Sequence, residues 1–149
     1  GYLREEIEKT IALVQTDYKL DNIEIVSHWC DALLNLQYDP DKMRQIYLNL
    51  LQNAKQAMPD GGTITIGCNS IKGPHKNFHQ FTFSDTGMGM SEETQLKIFN
   101  PFFTTKPEGQ GTGLGLSVVF GIIQEHGGTI TVQSKEGKGT TFTINLPLA

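Results

Sequence analysis

The sequence predicts an α+β domain: a two-layer sandwich with helices on one face of a mixed, mostly antiparallel sheet. Three observations predict it. Some segments carry one apolar stripe at helical spacing, and others alternate apolar and polar residues. The glycines that punctuate them crowd into the second half: of sixteen, all but Gly1 lie between Gly61 and Gly139. A chain of 149 residues fits a single domain, residues 1–149. That length buries roughly 70% of the surface its unfolded chain exposes, so no metal or disulfide staple is required.

The elements follow in order. Leu3, Ile7, Ile11 and Val14 recur at helical spacing and give a first helix. Residues 23–27 and 33–38 read as strands. Asp39-Pro40 opens a second helix, with Asp as N-cap and Pro in the first turn. Its stripe is Met43, Ile46, Tyr47, Leu50, Leu51, Ala54 and Met58, and Pro59 with Gly61-Gly62 ends it. Ile64, Ile66 and Cys68 alternate in one strand, and Phe81 and Phe83 in the next. A short helix over residues 92–99 precedes a glycine-rich stretch. Residues 113–126 are apolar nearly all round and predict a buried helix stopped by Gly127-Gly128. TITVQS and TTFTINL close the sequence as a hairpin.

Composition excludes several functions. Twelve Lys and Arg against sixteen Asp and Glu leave a net charge of −4, which argues against a nucleic-acid surface. No stretch approaches the ~20 apolar residues of a membrane span. Cys30 and Cys68 form no metal-type spacing and read as reduced, semi-buried residues of a cytosolic protein, with a disulfide between them as the less favoured alternative. His28, His75, His79 and His126 have no nucleophile or metal partner at motif spacing.

Asp85 is the most informative residue. It shares parity with Phe81 and Phe83, so it points to the apolar side, where a carboxylate is costly unless hydrogen-bonded. Gly87 and Gly89 follow and allow tight turns and close ligand approach. The residue is either an acceptor for a ligand's amino group or a cap for the DTGMG turn. Asn49 and Asn53 lie one helical turn apart at the edge of the apolar stripe; an amide oxygen there suits Mg²⁺, or simply helix packing. GQGTGLGLS matches neither a Walker A nor a Rossmann motif, yet it feeds a helix N-terminus, where free N–H groups and the helix dipole favour phosphate. Lys106 is the only basic residue between Lys97 and Lys135 and is suited to reach the same phosphates.

In order, NLLQNAKQAM, DTGMGM, FNPFFTTK, GTGLGLS and GKGTTF resemble the ATP-binding catalytic domain of bacterial sensor histidine kinases. That family lies in the superfamily of gyrase, Hsp90, histidine kinases and MutL. The resemblance covers the chain from about Asp21 onward, and two of the boxes look most like the nitrogen-regulation type. It implies the Bergerat-type fold, with ATP held between two helices under a lid over residues 90–111. It implies Asn53 as the Mg²⁺ ligand with Asn49 as companion, Asp85 as acceptor from adenine N6 beside Gly87 and Gly89, and Thr140 in support of Asp85. It implies Gly111, Thr112, Gly113, Leu114 and Gly115 around the phosphates, with Lys106 and Asn49 in the catalytic role. Gln56 stands where many members carry a basic residue, with Lys55 beside it, which shifts phosphate neutralisation toward Lys106 and Mg²⁺.

The implied activity is transfer of the γ-phosphoryl group of Mg-ATP to a histidine on a separate dimerisation domain. No histidine here sits in a phosphoacceptor motif, so the expectation is a catalytic domain that does not autophosphorylate alone and is monomeric. Its implied partners are its own dimerisation and phosphoacceptor domain and a downstream response regulator, with no nucleic acid and no membrane contact. The implied location is the cytoplasm, with a parent kinase either soluble or membrane-anchored. An anti-sigma-type protein-serine kinase and a nucleotide-dependent clamp are the alternatives; FFTTK speaks against the first. Asp39, Asp41 and Gln45 where a clamp would need an activating Glu speak against the second.

Overall fold

The computed structural model describes residues 3–28, 39–100 and 115–147. The elements are α1 (Leu3–Leu20), β1 (Ile23–His28), α2 (Pro40–Gln56), β2 (Gly62–Lys72) and β3 (Asn77–Asp85), then α3 (Glu92–Lys97), α4 (Gly115–Glu125), β4 (Thr129–Lys135) and β5 (Gly139–Pro147). The expected strand over residues 33–38 lies outside the described residues.

Local chemistry sets the helix ends. Asn22 adopts a left-handed conformation (φ 62°) and stops α1, with the Asp21 and Asn22 N–H groups donating to Tyr18 and Lys19 carbonyls. The Asp39 carboxylate caps α2 by accepting from the Asp41 and Lys42 N–H groups at 2.9 and 3.4 Å, with Pro40 in the first turn. Gly127 (φ 72°) ends α4, and the Gly128 N–H returns to the Ile123 carbonyl at 2.9 Å. Helix α4 is described from Gly115 onward, and residues 113–114 of its expected start lie outside the described residues.

The sheet runs β1-β2-β3-β5-β4, with β1 and β2 parallel and the other pairs antiparallel; the sequence predicts its mixed, mostly antiparallel character but not this order. Register puts the apolar residues in rows across the inner face. Ile66, Phe83, Phe142 and Val132 form one row, and Cys68, Phe81, Ile144 and Ile130 the next. Helices α1, α2 and α4 supply Ile7, Ile46, Leu50, Val119 and Ile123 to the same core. Full burial of each such side chain contributes about 1.5–3 kcal/mol. Phe99, after α3, stacks on Phe120 of α4 and meets Phe142 edge-on, so the chain just past α3 is anchored in this core. On the opposite face Ser84 and Thr141, and Gln80 and Asn145, pair by side-chain hydrogen bonds across the strands.

Two features depart from the sequence reading. Strands β2 and β3 extend well beyond their alternating segments, to Lys72 and back to Asn77, because a hairpin is held by backbone pairing there rather than by apolar side chains. Cys68 is disulfide-bonded, which corrects the reading of a reduced thiol. Tertiary proximity decides such a bond, and spacing in sequence does not reveal it; Cys30 lies outside the described residues. No helix among the described residues is long and apolar enough to cross a membrane.

His79 sits in the row beyond Phe81, opposite Leu146 on β5 and Ser70 on β2, and is only 3% exposed. Its Nδ1 is buried without a hydrogen-bond partner among the described residues, and burial lowers its pKa. The unfolded chain therefore takes up the proton first. Stability is full above the ordinary histidine value of about 6.5 and falls as pH drops through it. We expect thermal unfolding from pH 8 to 5 to show this loss, and His79→Leu to flatten it.

Candidate functional site

At one end of the sheet the inner face changes character. The last row reads Ile64, Asp85, Thr140, Ser134 across β2, β3, β5 and β4, three polar residues in register beside the all-apolar row of Phe83 and Phe142. Asp85 is 8% exposed and Thr140 5%. The Asp85 Oδ1 accepts from the Gly87 N–H at 2.8 Å, and the carboxylate also accepts from the Thr140 backbone N–H. Burial raises the Asp85 pKa, and these two N–H groups partly offset it by favouring the charged form. The turn-cap role and the ligand-acceptor role weighed for Asp85 are thus not exclusive. One oxygen caps the DTG turn, which leaves acceptor capacity on the carboxylate.

The glycines around Asp85 are where backbone meets backbone. A side chain at Gly87 would collide with the Ala57 carbonyl, which accepts from the Met88 N–H at 3.0 Å and ties the loop to the end of α2. Gly89 combines φ 71° with contact against the Lys135 backbone, and the Gly137 N–H donates to the Met88 carbonyl at 2.7 Å. A side chain at Gly139 would strike the Asp85 carbonyl. These contacts press the loop after β3 between α2 and the β4–β5 turn.

Asn49 and Asn53 lie half-buried on one edge of α2, and Gln56 continues that edge one turn on. The Asn49 Oδ1 sits 3.3 Å from where a Cβ on Gly115 would be, so Asn49 faces the N-terminus of α4. The structure thereby brings together the α2 edge and the start of the helix that the glycine-rich stretch feeds. Lys55 turns elsewhere: its Nζ pairs with Asp21 at 3.0 Å and lies 5.0 Å from the Tyr18 ring centre, holding α2 to α1. Burial pushes the Tyr18 hydroxyl up to about 12, so it stays neutral beside that cation. Lys106, Gly111, Thr112, Gly113 and Leu114 lie outside the described residues.

Sequence reasoning missed two residues. Ser134 shares inward parity with Ile130 and Val132, the same signal that singled out Asp85, and its hydroxyl contacts Met90, Gly139 and Thr140. Gln95 of α3 donates to the Met90 and Ser134 carbonyls at 3.1 and 3.0 Å. No pattern in the sequence marks a lone glutamine for such a bridge. A cavity of about 300 Å³ opens beside this end of the sheet, lined by Asp85, Ser134, Thr140 and neighbours on the β4–β5 turn including Lys135 and Lys138.

The family described as "Histidine kinase-, DNA gyrase B-, and HSP90-like ATPase" matches residues 38–149. Sporulation kinase E of Bacillus subtilis is 37% identical over 147 residues, covering 99% of this chain and 19% of that protein. Sensor histidine kinase ZraS of Escherichia coli K12 is 41% identical over 142 residues, covering 95% of this chain and 29% of that protein. Among solved structures, the catalytic domain of histidine kinase ThkA aligns with a TM-score of 0.82 at 32% identity, covering 98% of this chain and 94% of that one. The chain belongs to this ATPase family, as the catalytic ATPase domain found in sensor histidine kinases. It spans less than a third of the length of the two curated relatives.

The close packing at Gly89 yields a direct expectation. Gly89→Ala adds a Cβ at positive φ against the Lys135 backbone and should destabilise the domain by more than about 1 kcal/mol in urea unfolding.

Proposed function

We propose that the chain binds Mg-ATP and donates the γ-phosphoryl group to a histidine on a separate domain of a sensor kinase. The observation that carries this reading is the buried Asp85 carboxylate, held open at the sheet's end in an ATPase-family fold, with the α2 edge and the N-terminus of α4 facing each other nearby.

The roles follow from chemistry. Asp85 accepts a hydrogen from the adenine amino group, and Gly87 and Gly89 let the base approach the backbone. Thr140 supports Asp85 from the neighbouring strand. Gly111, Thr112, Gly113, Leu114 and Gly115 offer N–H groups and the positive end of α4 to the phosphates. Lys106 adds positive charge near the transferred group, and Asn49 orients it. Asn53 holds Mg²⁺ through its carboxamide oxygen. The donor set fits: carboxamide oxygens are hard ligands, and Mg²⁺ commonly takes one or two protein oxygens with the rest from phosphate and water. Among the described residues no group of three His, Cys, Asp or Glu competes for that role. Bound there, Mg²⁺ supplies charge neutralisation of the phosphate oxygens.

The bond between the γ-phosphorus and the β–γ bridging oxygen breaks, a bond from phosphorus to an imidazole nitrogen of the acceptor histidine forms, and ADP leaves. The domain contributes positioning and charge stabilisation. The acceptor lies on a partner domain, and the phosphoryl group then passes to a response regulator. One solved structure, at 29% identity and a TM-score of 0.80, is described as histidine kinase ThkA in complex with response regulator protein TrrA. We further propose that the domain is cytoplasmic and, when isolated from its partner domain, monomeric.

The decisive experiment mixes the domain with labelled ATP, Mg²⁺ and the dimerisation domain of its own kinase. Acid-labile label on that domain is expected, and its absence would overturn the reading. Asp85→Asn separates binding from folding. Because burial raises the Asp85 pKa, its contribution to stability is present at low pH and lost as pH rises through that value. At neutral pH the uncharged amide should therefore leave the melting temperature unchanged or higher. ATP affinity should fall about 10- to 100-fold by titration calorimetry, the loss of a hydrogen bond to a charged group.

A further inference from the structure

Three elements meet on one hydroxyl. Ser134 of β4 stands in register with Thr140 of β5, at the end of the polar row. Its Oγ lies 2.8 Å from the Met90 amide nitrogen, 2.9 Å from the Gly139 carbonyl oxygen and 2.8 Å from the Thr140 Oγ1.

A serine hydroxyl has one hydrogen and two lone pairs. The Met90 N–H can only donate, so it occupies one lone pair. The Gly139 carbonyl can only accept, so it takes the hydrogen. The contact with Thr140 is left the second lone pair, and its hydrogen must come from Thr140. Thr140 thereby commits its only hydroxyl hydrogen to Ser134, and its Oγ1 keeps lone pairs alone for the space beside Asp85. Gln95 donates to the carbonyls of both Met90 and Ser134, which holds the Met90 N–H on the serine.

Asp85 and Thr140 are direct register partners, so their Cβ atoms lie about 4.5–5.5 Å apart on the same face. An ionised Asp85 carboxylate accepts only, and a Thr140 hydroxyl bonded to Ser134 in this sense also accepts only. Together they suit a base edge that brings hydrogens, such as an exocyclic amino group, and oppose one that presents a carbonyl oxygen. We propose that Ser134 is a positioning residue that sets base specificity, by fixing Thr140 as a hydrogen-bond acceptor beside Asp85. The proposal rests on the nucleotide reading above and extends it to a residue that does not touch the base.

The test compares ATP with inosine triphosphate, which carries a carbonyl where adenine carries its amino group. Both are titrated by calorimetry with Mg²⁺ against the wild type, Ser134→Ala, Ser134→Cys and Ser134→Thr. The wild type should prefer ATP. Ser134→Ala releases the Thr140 hydrogen, so the preference should shrink roughly three- to tenfold. Ser134→Cys, close in size but a poor hydrogen-bond partner, should do the same and decides the matter if the alanine variant does not fold. Ser134→Thr keeps the hydroxyl and should keep the preference. If both Ser134→Ala and Ser134→Cys lose affinity for the two nucleotides equally, the serine is merely structural and the proposal is overturned. A wild type that binds neither nucleotide overturns the ATP reading itself, which is a distinct result.

Discussion

A carboxylate under the edge of an apolar layer is the constraint on which the rest of this domain turns. Removing Asp85 from water costs free energy that only nearby donors offset. The N–H groups of Gly87 and Thr140 supply that compensation from two different segments. For both to reach one side chain, the loop after β3 must fold back at once and β5 must lie directly beside β3. The glycines at 87, 89 and 139 permit that approach, since a side chain at any of them would meet a neighbouring backbone. The register that aligns Asp85 with Thr140 also aligns Phe83 with Phe142 and Phe81 with Ile144. One alignment thus serves both the polar row and the core.

The helices divide the remaining work. Helix α2 is fixed on its buried side by Met43, Ile46, Leu50 and Leu51, and at its end by the pairing of Lys55 with Asp21. Its partly exposed edge carries the asparagines. Helix α4 meets that edge through Gly115, where the missing side chain lets Asn49 come close to the helix start. The cation next to Gln56 is occupied in joining α2 to α1.

Much of this was legible in the sequence, and the residues show why. The stripe of α2 and its Asp39-Pro40 cap depend on neighbours within a few positions, so they can be read directly. Asp85 was legible because a charged residue on an apolar parity is conspicuous. Ser134 carries the same signal more faintly, since a serine on a buried parity is common and gains meaning only from the three partners that long-range pairing brings to it. The polar ends of β2 and β3 were hidden because backbone hydrogen bonds hold them. The bond at Cys68 was hidden because a disulfide joins residues that the fold brings close, which local pattern does not reveal.

The strand order has a consequence for how the molecule comes into being. β5 is the last strand in the sequence, yet it lies between β3 and β4. Until residue 147 has left the ribosome, β3 is an open edge carrying the apolar pair Phe81 and Phe83, the kind of surface that invites pairing with other chains. The Thr140 donor of Asp85 also arrives only then. A nascent chain can form its first helices and the β2–β3 hairpin early. The end of the sheet that carries Asp85 is completed in one late, non-local event, set by topology alone.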